Sequence, residues 1–372
     1  MKFNTFFKYY RSNFFFEKAI RYNEIYFSET SELNDPHDLK VQYIFEDNVQ
    51  LWEQVLSVES SMNGHSFKFW ELSKYFDIQN SELKNRLNNL FKDEIILDVN
   101  SLKILIEKHK KELEKIFTDY LKTDLKEECI FSTKNIFLVL PTILLDKLCK
   151  ALNHRIYSAS FSKDPLNPLM WAHYADGFKG CVVIYNALEH NILKLRHHYQ
   201  TPINQSESYE FKEVKYLNKD KFIPLLQSVI NKNNVLLNAC LVKNSFWNYE
   251  VEHRLLTSIE IDSLRLAHAE NSNPLSRDRI MYHDPNSILG VIFGPRCSEE
   301  YKHKVQLIIG DTRKLNGNKF FLLFTTELCS SGQIKILQGE IIRPKYSSEI
   351  RQILKDKDLD NCLKDIGVIP KD

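Results

Sequence analysis

Glycine is scarce in this chain, at 10 of 372 residues. The few that occur are scattered, and neither GxGxxG nor GxxxxGK[ST] is present. The backbone loops that cradle nucleotide phosphates are therefore missing, which excludes the Rossmann and P-loop routes to a nucleotide. No charge of one sign dominates either. The chain has 50 basic and 49 acidic residues, a net charge of +1, so no global field draws it to nucleic acid. Long apolar runs are absent too. The longest, Ile136 to Leu145, is interrupted by Pro141, and a bilayer span needs about 20 residues. A GxSxG elbow is lacking, which removes that route to a serine nucleophile. His268-Ala269-Glu270 mimics a zinc-deaminase element, but no PCxxC follows it. Both residues are expected on a helix surface.

The seven cysteines, Cys129, Cys149, Cys181, Cys240, Cys297, Cys329 and Cys362, form no CxxC pair. An odd, scattered set argues against a disulfide framework and a thiolate zinc site. It points to a reduced, cytoplasmic setting. The opening residues, Met1 to Lys8, carry no apolar signal-peptide region, and no membrane partner is expected.

Aromatics, by contrast, are abundant, with 24 Phe and 17 Tyr. The length is ample for a large core and suits two domains, or one domain with a large insertion. Residues 5–30 read as strand, helix (Phe14 to Arg21) and strand, followed by turn chemistry at Asn34-Asp35-Pro36. Over 45–150 apolar residues recur at helical spacing, as in Leu102, Leu105, Ile106 and Leu113, Ile116, Phe117. Strand character returns at Ile156 to Ser162, Gly180 to Tyr185, Phe211 to Tyr216, Tyr249 to Glu260, Ile288 to Phe293, 318–325 and 334–342. Helices are predicted over Leu169 to Ala175, ending near Gly177, and over 219–244, 299–309 and 346–355. The expected fold is α+β. Its core covers 1–44 and 151–345, a helical insertion covers 45–150, and a C-terminal helix and tail cover 346–372.

Three segments carry groups suited to chemistry. Tyr10-Arg11-Ser12 ends an aromatic strand with a guanidinium, whose fork suits a phosphate. Ser158, Ser160 and Ser162 alternate along one strand and share a face. Glu250 and Glu252 stand two apart in Tyr249-Glu250-Val251-Glu252-His253-Arg254 and, on a strand, would also share a face. Like charges that close resist ionising together, so one carboxyl is expected to titrate high. The structural alternative is an acid pair neutralised by Lys243, His253 or Arg254. Trp171, His173 and Tyr174, on a short helix, would wall a pocket for a flat ring or simply pack the core.

These segments resemble a widespread bacterial family of unknown function. The resemblance rests on Tyr10-Arg11-Ser12, Asn34-Asp35-Pro36-His37-Asp38, Ser160-Phe161-Ser162, Met170-Trp171-Ala172-His173-Tyr174-Ala175-Asp176-Gly177 and Trp247 to Arg254. The ordered Arg11, Ser160 and Glu252 also resemble the Arg–Ser–Glu signature of ADP-ribosyltransferases. That second resemblance implies an ADP-ribosyltransferase-like β core that binds NAD without a Rossmann fingerprint. Arg11 would hold a phosphate of NAD, with Tyr10 beside it. Ser160 or Ser162 would support the nicotinamide ribose, next to Trp171, His173 and Tyr174. Glu252 would bind the ribose and stabilise the oxocarbenium-like transition state, and Glu250 would orient or deprotonate the acceptor. The expected activity is transfer of ADP-ribose to a protein or nucleic acid, or hydrolysis of NAD, with no metal. A toxin or anti-phage effector, restrained by an antitoxin or regulatory partner, fits such an activity. Two alternatives stand beside it. Asp35, His37, Asp38, Glu250 and Glu252 would serve a Mg²⁺- or Mn²⁺-dependent hydrolase or nuclease. A non-catalytic sensing module would use the helical insertion as its partner surface.

Overall fold

The computed structural model describes residues 3–58, 72–122, 130–152, 154–218, 222–231, 234–260, 276–316, 320–344 and 349–370. His268 and Glu270 lie outside them. The chain is mixed α/β, built on a nine-stranded sheet. From one edge its strands are Glu349–Leu354, Ile334–Pro344, Phe321–Leu328, Ile288–Phe293, Cys181–Ala187, Asn4–Tyr10, His154–Ser162, Glu252–Glu260 and Lys212–Glu213. Neighbours run antiparallel except Ile288–Phe293 and Phe321–Leu328, which are parallel and joined through the helix Glu299–Asn316. The two central apolar strands are buried on both faces, which is why they read as continuous runs and not as alternating ones. Phe6, Val183 and Val291 pack on one side of the sheet, and Phe7, Ile184 and Ile292 on the other, as side-chain alternation dictates.

The helix predicted from Phe14 is present as Phe14–Tyr22. Asn13 caps it by accepting from Phe15 N and Phe16 N, and Asn23 ends it at φ 57°. Between residues 49 and 149 lie six helices among the described residues, packed around Trp52, Phe91, Leu102, Phe117 and Leu144. That core also takes in Ile223, Leu225, Val229 and Leu236 from much later in the chain.

Two expectations are corrected, and one sheet was not anticipated. The helix predicted over 219–244 is a strand Phe222–Pro224, helices Leu225–Ile230 and Asn234–Ala239, and a strand Val242–Lys243. Pro224 cannot lie inside a helix and instead precedes one. The following asparagine run favours turns over helix. The helix predicted over 346–355 is the edge strand Glu349–Leu354, with a helix at Asp356–Asp365. Its apolar spacing is ambiguous, and the free edge of Ile334–Pro344 decides the outcome. Short strands Ile192–Arg196, Glu207–Glu210 and Ile280–His283 join Glu24–Tyr26 in a second, four-stranded sheet that the sequence did not announce.

One irregularity positions the site. Strand His154–Ser162 pairs along its whole length with Glu252–Glu260. On its other edge, among the described residues, it meets Asn4–Tyr10 at a single register pair, Phe7 and Ser162. It then swings to Ser28, whose N–H donates to Ser158 O at 2.8 Å while Ser158 N donates to Ser28 O at 3.0 Å. A cavity opens where the two strands part.

Candidate functional site

The cavity has a volume of about 230 Å³. Strand Asn4–Tyr10 supplies Phe7, Lys8 and Tyr9 to its wall, and strand His154–Ser162 supplies Ser158, Ser160 and Ser162. Lys8 Nζ donates to Ser160 O at 3.0 Å. It thereby meets a carbonyl at the point where the strands diverge. Burial pushes this ammonium down to about 8, against the pull of Glu252. Ser158 Oγ is buried in the same wall and has no hydrogen-bond partner among the described residues.

The helix Pro168–Tyr174 forms another wall. Asn167 caps it by accepting from Leu169 N and Met170 N, and Asp176 and Gly177, both at positive φ, end it. Its Met170 and Tyr174, four apart and so on one helical face, line the cavity. A third wall is the turn around Asn34-Asp35-Pro36. Asp35 Oδ1 accepts from His37 N at 2.9 Å, and Asp38 Oδ1 accepts from Leu39 N at 2.8 Å. This loop delivers Asp38, 2% exposed, to the back of the cavity.

Three carboxylates and two cations meet there. Arg254 Nη1 and Nη2 donate to Asp38 Oδ1 and Oδ2 at 2.8 and 2.5 Å. Its Nε and Nη2 donate to Glu252 Oε1 and Oε2 at 2.7 and 2.8 Å. Lys243 Nζ lies 2.7 Å from Glu250 Oε2 and 3.4 Å from both Glu252 Oε2 and Asp38 Oδ2. Such a pairing is what buried charges require. Burial pushes Glu252 up, but Arg254 and Lys243, with a hydrogen bond from Ser160, outweigh it and hold the carboxyl at about 2. Glu250 moves the other way: burial and the charge of Glu252 raise it above the ordinary carboxylate range. Tyr174 Oη donates to Glu250 Oε1. Ser162 Oγ donates to Glu250 O at 2.6 Å, so this serine fixes backbone.

The two glutamates do not share one strand, as the sequence suggested. Ser245–Glu250 is a 3₁₀ segment, Val251 turns the chain at φ 44°, and the strand begins at Glu252. The turn brings both side chains onto Lys243.

Of the residues singled out in the sequence, Glu250, Glu252, Ser160, Ser162 and Tyr174 converge on the cavity. Arg11 does not line it. It lies one residue beyond the end of the strand Asn4–Tyr10 and is exposed. Tyr10 lies on the opposite sheet face from Tyr9, packs on Phe16 with ring centroids 5.5 Å apart, and sits 3.4 Å from Tyr185 Oη. Trp171 is buried in the core, and its Nε1 donates to Pro165 O at 2.9 Å. His173 is exposed beside Tyr249. The cations that shape the site, Lys8, Lys243 and Arg254, were passed over or read only as neutralising partners. The signal for Lys8 was present: a lone charge at an interior position of an otherwise aromatic strand.

The five groups offered as metal ligands are otherwise engaged. Asp35 holds its turn, His37 lies outside the cavity, and Asp38, Glu250 and Glu252 surround Lys243 and Arg254. Among the described residues no group of three or more His, Cys, Asp or Glu is arranged to hold a metal ion. Comparison of the chain with protein-family models, curated proteins and solved structures gives no significant match.

Proposed function

We propose that the cavity takes the nicotinamide–ribose end of NAD⁺ and breaks its N-glycosidic bond, passing ADP-ribose to a macromolecular acceptor or to water. In this reading the opened sheet is an ADP-ribosyltransferase-like core. The observation that carries it is the division between two carboxyls in one cavity: Glu252 is held ionised near 2 while Glu250 is raised. Environments that push paired acids apart assign them different tasks. Ionised Glu252 offsets the positive charge that develops on the ribose as the C1′–N bond breaks. The bonding electrons leave with nicotinamide, which departs neutral. Glu250 takes the proton of the attacking hydroxyl as the new C1′–O bond forms.

The lining supports a flat ring: Phe7, Tyr9, Phe161 and Tyr174 supply aromatic surface. At about 230 Å³ the cavity is small for a whole dinucleotide, so the adenylate end would lie outside it. Lys8 then stands in the place the resemblance gave to Arg11, as the cation nearest the leading phosphate.

The test is nicotinamide release by the purified chain in EDTA, with Glu252→Gln and Arg11→Ala alongside. Release that survives EDTA, falls at least 100-fold in kcat in Glu252→Gln and is kept by Arg11→Ala is expected, because Glu252 acts on the transition state. Full turnover by Glu252→Gln, or no NAD⁺ turnover even with cell lysate as acceptor, would overturn the reading. An unrestrained activity of this kind would suit a toxin or anti-phage effector. Expression of wild type, but not Glu252→Gln, should then deplete cellular NAD⁺.

A further inference from the structure

A larger groove of about 1030 Å³ lies against the other side of the loop Thr30–Asp38. The loop gives Glu32, Asn34 and Asp38 to the cavity, and Thr30, Asp35 and His37 to the groove. The segment from Lys243 to Glu250 is divided in the same way, with Asn244, Phe246 and Trp247 facing the groove.

Two kinds of group meet in this groove. The first is aromatic. Phe246 is 82% exposed, a level that costs an apolar ring its solvation and earns it no packing. Trp247 stands next to it, and Lys243 Nζ lies 4.8 Å from the centroid of its ring. The second is cationic. Arg155 and Lys40 line the groove and form no ion pair with any described residue. The start of the ten-residue helix Val99–Lys108 also faces it, through Val99 and Asn100. That start is capped by the Asp98 carboxylate, so the charge for a phosphate comes from Arg155 and Lys40. The acids of the groove are committed elsewhere: Asp98 caps that helix through Ser101 N, and Asp35 accepts from His37 N.

We propose that this groove is a second ligand site, for a nucleotide whose base stacks on Phe246 and Trp247 and whose phosphate meets Arg155 and Lys40. Stacking tolerates any base, and a guanidinium with no carboxylate partner among the described residues can form a bidentate pair with phosphate. The nucleotide is either free or one unit of a single strand, and the chemistry of recognition is shared. The site stands independently of NAD⁺ turnover in the neighbouring cavity.

The experiment measures binding of AMP, adenosine and a hexameric oligodeoxyadenylate to the full chain by calorimetry, for wild type, Arg155→Gln, Phe246→Ser and Glu252→Gln. Thermal melting checks each variant's fold, and Phe246 is exposed enough to tolerate serine. Wild type should bind AMP at least 10-fold more tightly than adenosine. Arg155→Gln and Phe246→Ser should each weaken AMP at least 10-fold, while Glu252→Gln should weaken it less than either. An oligonucleotide that binds more tightly than AMP, with affinity that falls steeply with salt, identifies a nucleic-acid strand as the source. Equal affinities identify the free nucleotide. Absence of AMP and oligonucleotide binding, or binding indifferent to Arg155 and Phe246, overturns the proposal. So does AMP binding that is lost in Glu252→Gln and kept in Arg155→Gln, because it puts the nucleotide in the cavity. Failure of nicotinamide release leaves all these arms readable.

Discussion

Glu252 and Lys8 face the same cavity and both titrate below their ordinary values, Glu252 because its charge is stabilised and Lys8 because its charge is penalised. Glu252 titrates near 2 in the folded chain, below its ordinary 4.5. Its stabilisation is therefore present above about 4.5 and lost as pH falls towards 2. Most of it comes through Arg254, which bridges Glu252 and Asp38. Replacing Arg254 with Leu strands two buried carboxylates, at a cost of about 3–5 kcal/mol. Urea unfolding at pH 7 should show that loss, and the gap to wild type should narrow at pH 4, where Glu252, no longer held by Arg254, takes up a proton. For Lys8 the shift has the same sign but the opposite cause, a burial penalty on the charged form. Its folded value of about 8 lies below the ordinary 10.5, so between those values the unfolded chain holds a proton that the native chain has lost. Stability of wild type relative to Lys8→Met should rise with pH through that window, by roughly 3 kcal/mol. A flat difference between pH 8 and pH 10.5 would mean that the ammonium is not confined by the cavity. Only part of this is visible in the local sequence: Arg254 stands two residues from Glu252, but Asp38, Ser160 and Lys8 come from distant segments.

At the scale of elements, the turn at Val251 decides the geometry of the acid pair. A β-branched residue at φ 44° is strained, since the branched Cβ crowds the backbone in the left-handed region. Val251 is 42% exposed, so little packing is lost on truncation. Val251→Gly should therefore stabilise the chain by about 0.5–1 kcal/mol, after allowing for the extra freedom glycine has when unfolded. A denaturant midpoint that falls instead would show that the valine side chain matters more than its backbone. This element also marks where the sequence could be read and where it could not. Phe14–Tyr22 and Pro168–Tyr174 were legible because Asn13 and Asn167 cap them and Asn23 and Gly177 stop them, all within a few residues. Ile288–Phe293 was legible because six buried apolar residues leave no other choice. The convergence of Glu250, Glu252, Ser160 and Tyr174 was partly legible from their order along the chain. Arg11 was misplaced because its position depends on where the strand Asn4–Tyr10 ends, and strand ends are set by partners. The edge strand Glu349–Leu354 was read as helix because its partner, Ile334–Pro344, is not part of its own pattern.

For the whole molecule, the question is whether the helical segment is a separable insertion. Its ends support that view: Tyr43 Oη donates to Ala151 O at 3.1 Å, so the chain leaves and re-enters at nearly the same point. Its core argues the opposite. Ile223, Leu225, Leu226, Val229 and Leu236 are buried among the helices, and Glu46 accepts from Leu226 N and Gln227 N at 2.9 and 2.7 Å. The short strand Phe222–Pro224 also pairs with Gln42–Ile44, which in turn pairs with Ile95–Ile96. Removing residues 46–149 and closing the gap with a short Gly-Ser linker would leave that apolar set without a cover. The stretch following it, Cys240 to Glu252, carries Lys243 and Glu250. An uncovered patch of this kind is an aggregation surface, and loosening its support would release the cations that hold Glu252. The shortened chain is therefore expected to be insoluble, or to bind a hydrophobic dye and lose near-ultraviolet circular dichroism. A soluble shortened chain with a sharp two-state unfolding transition would instead establish the helices as an independent domain.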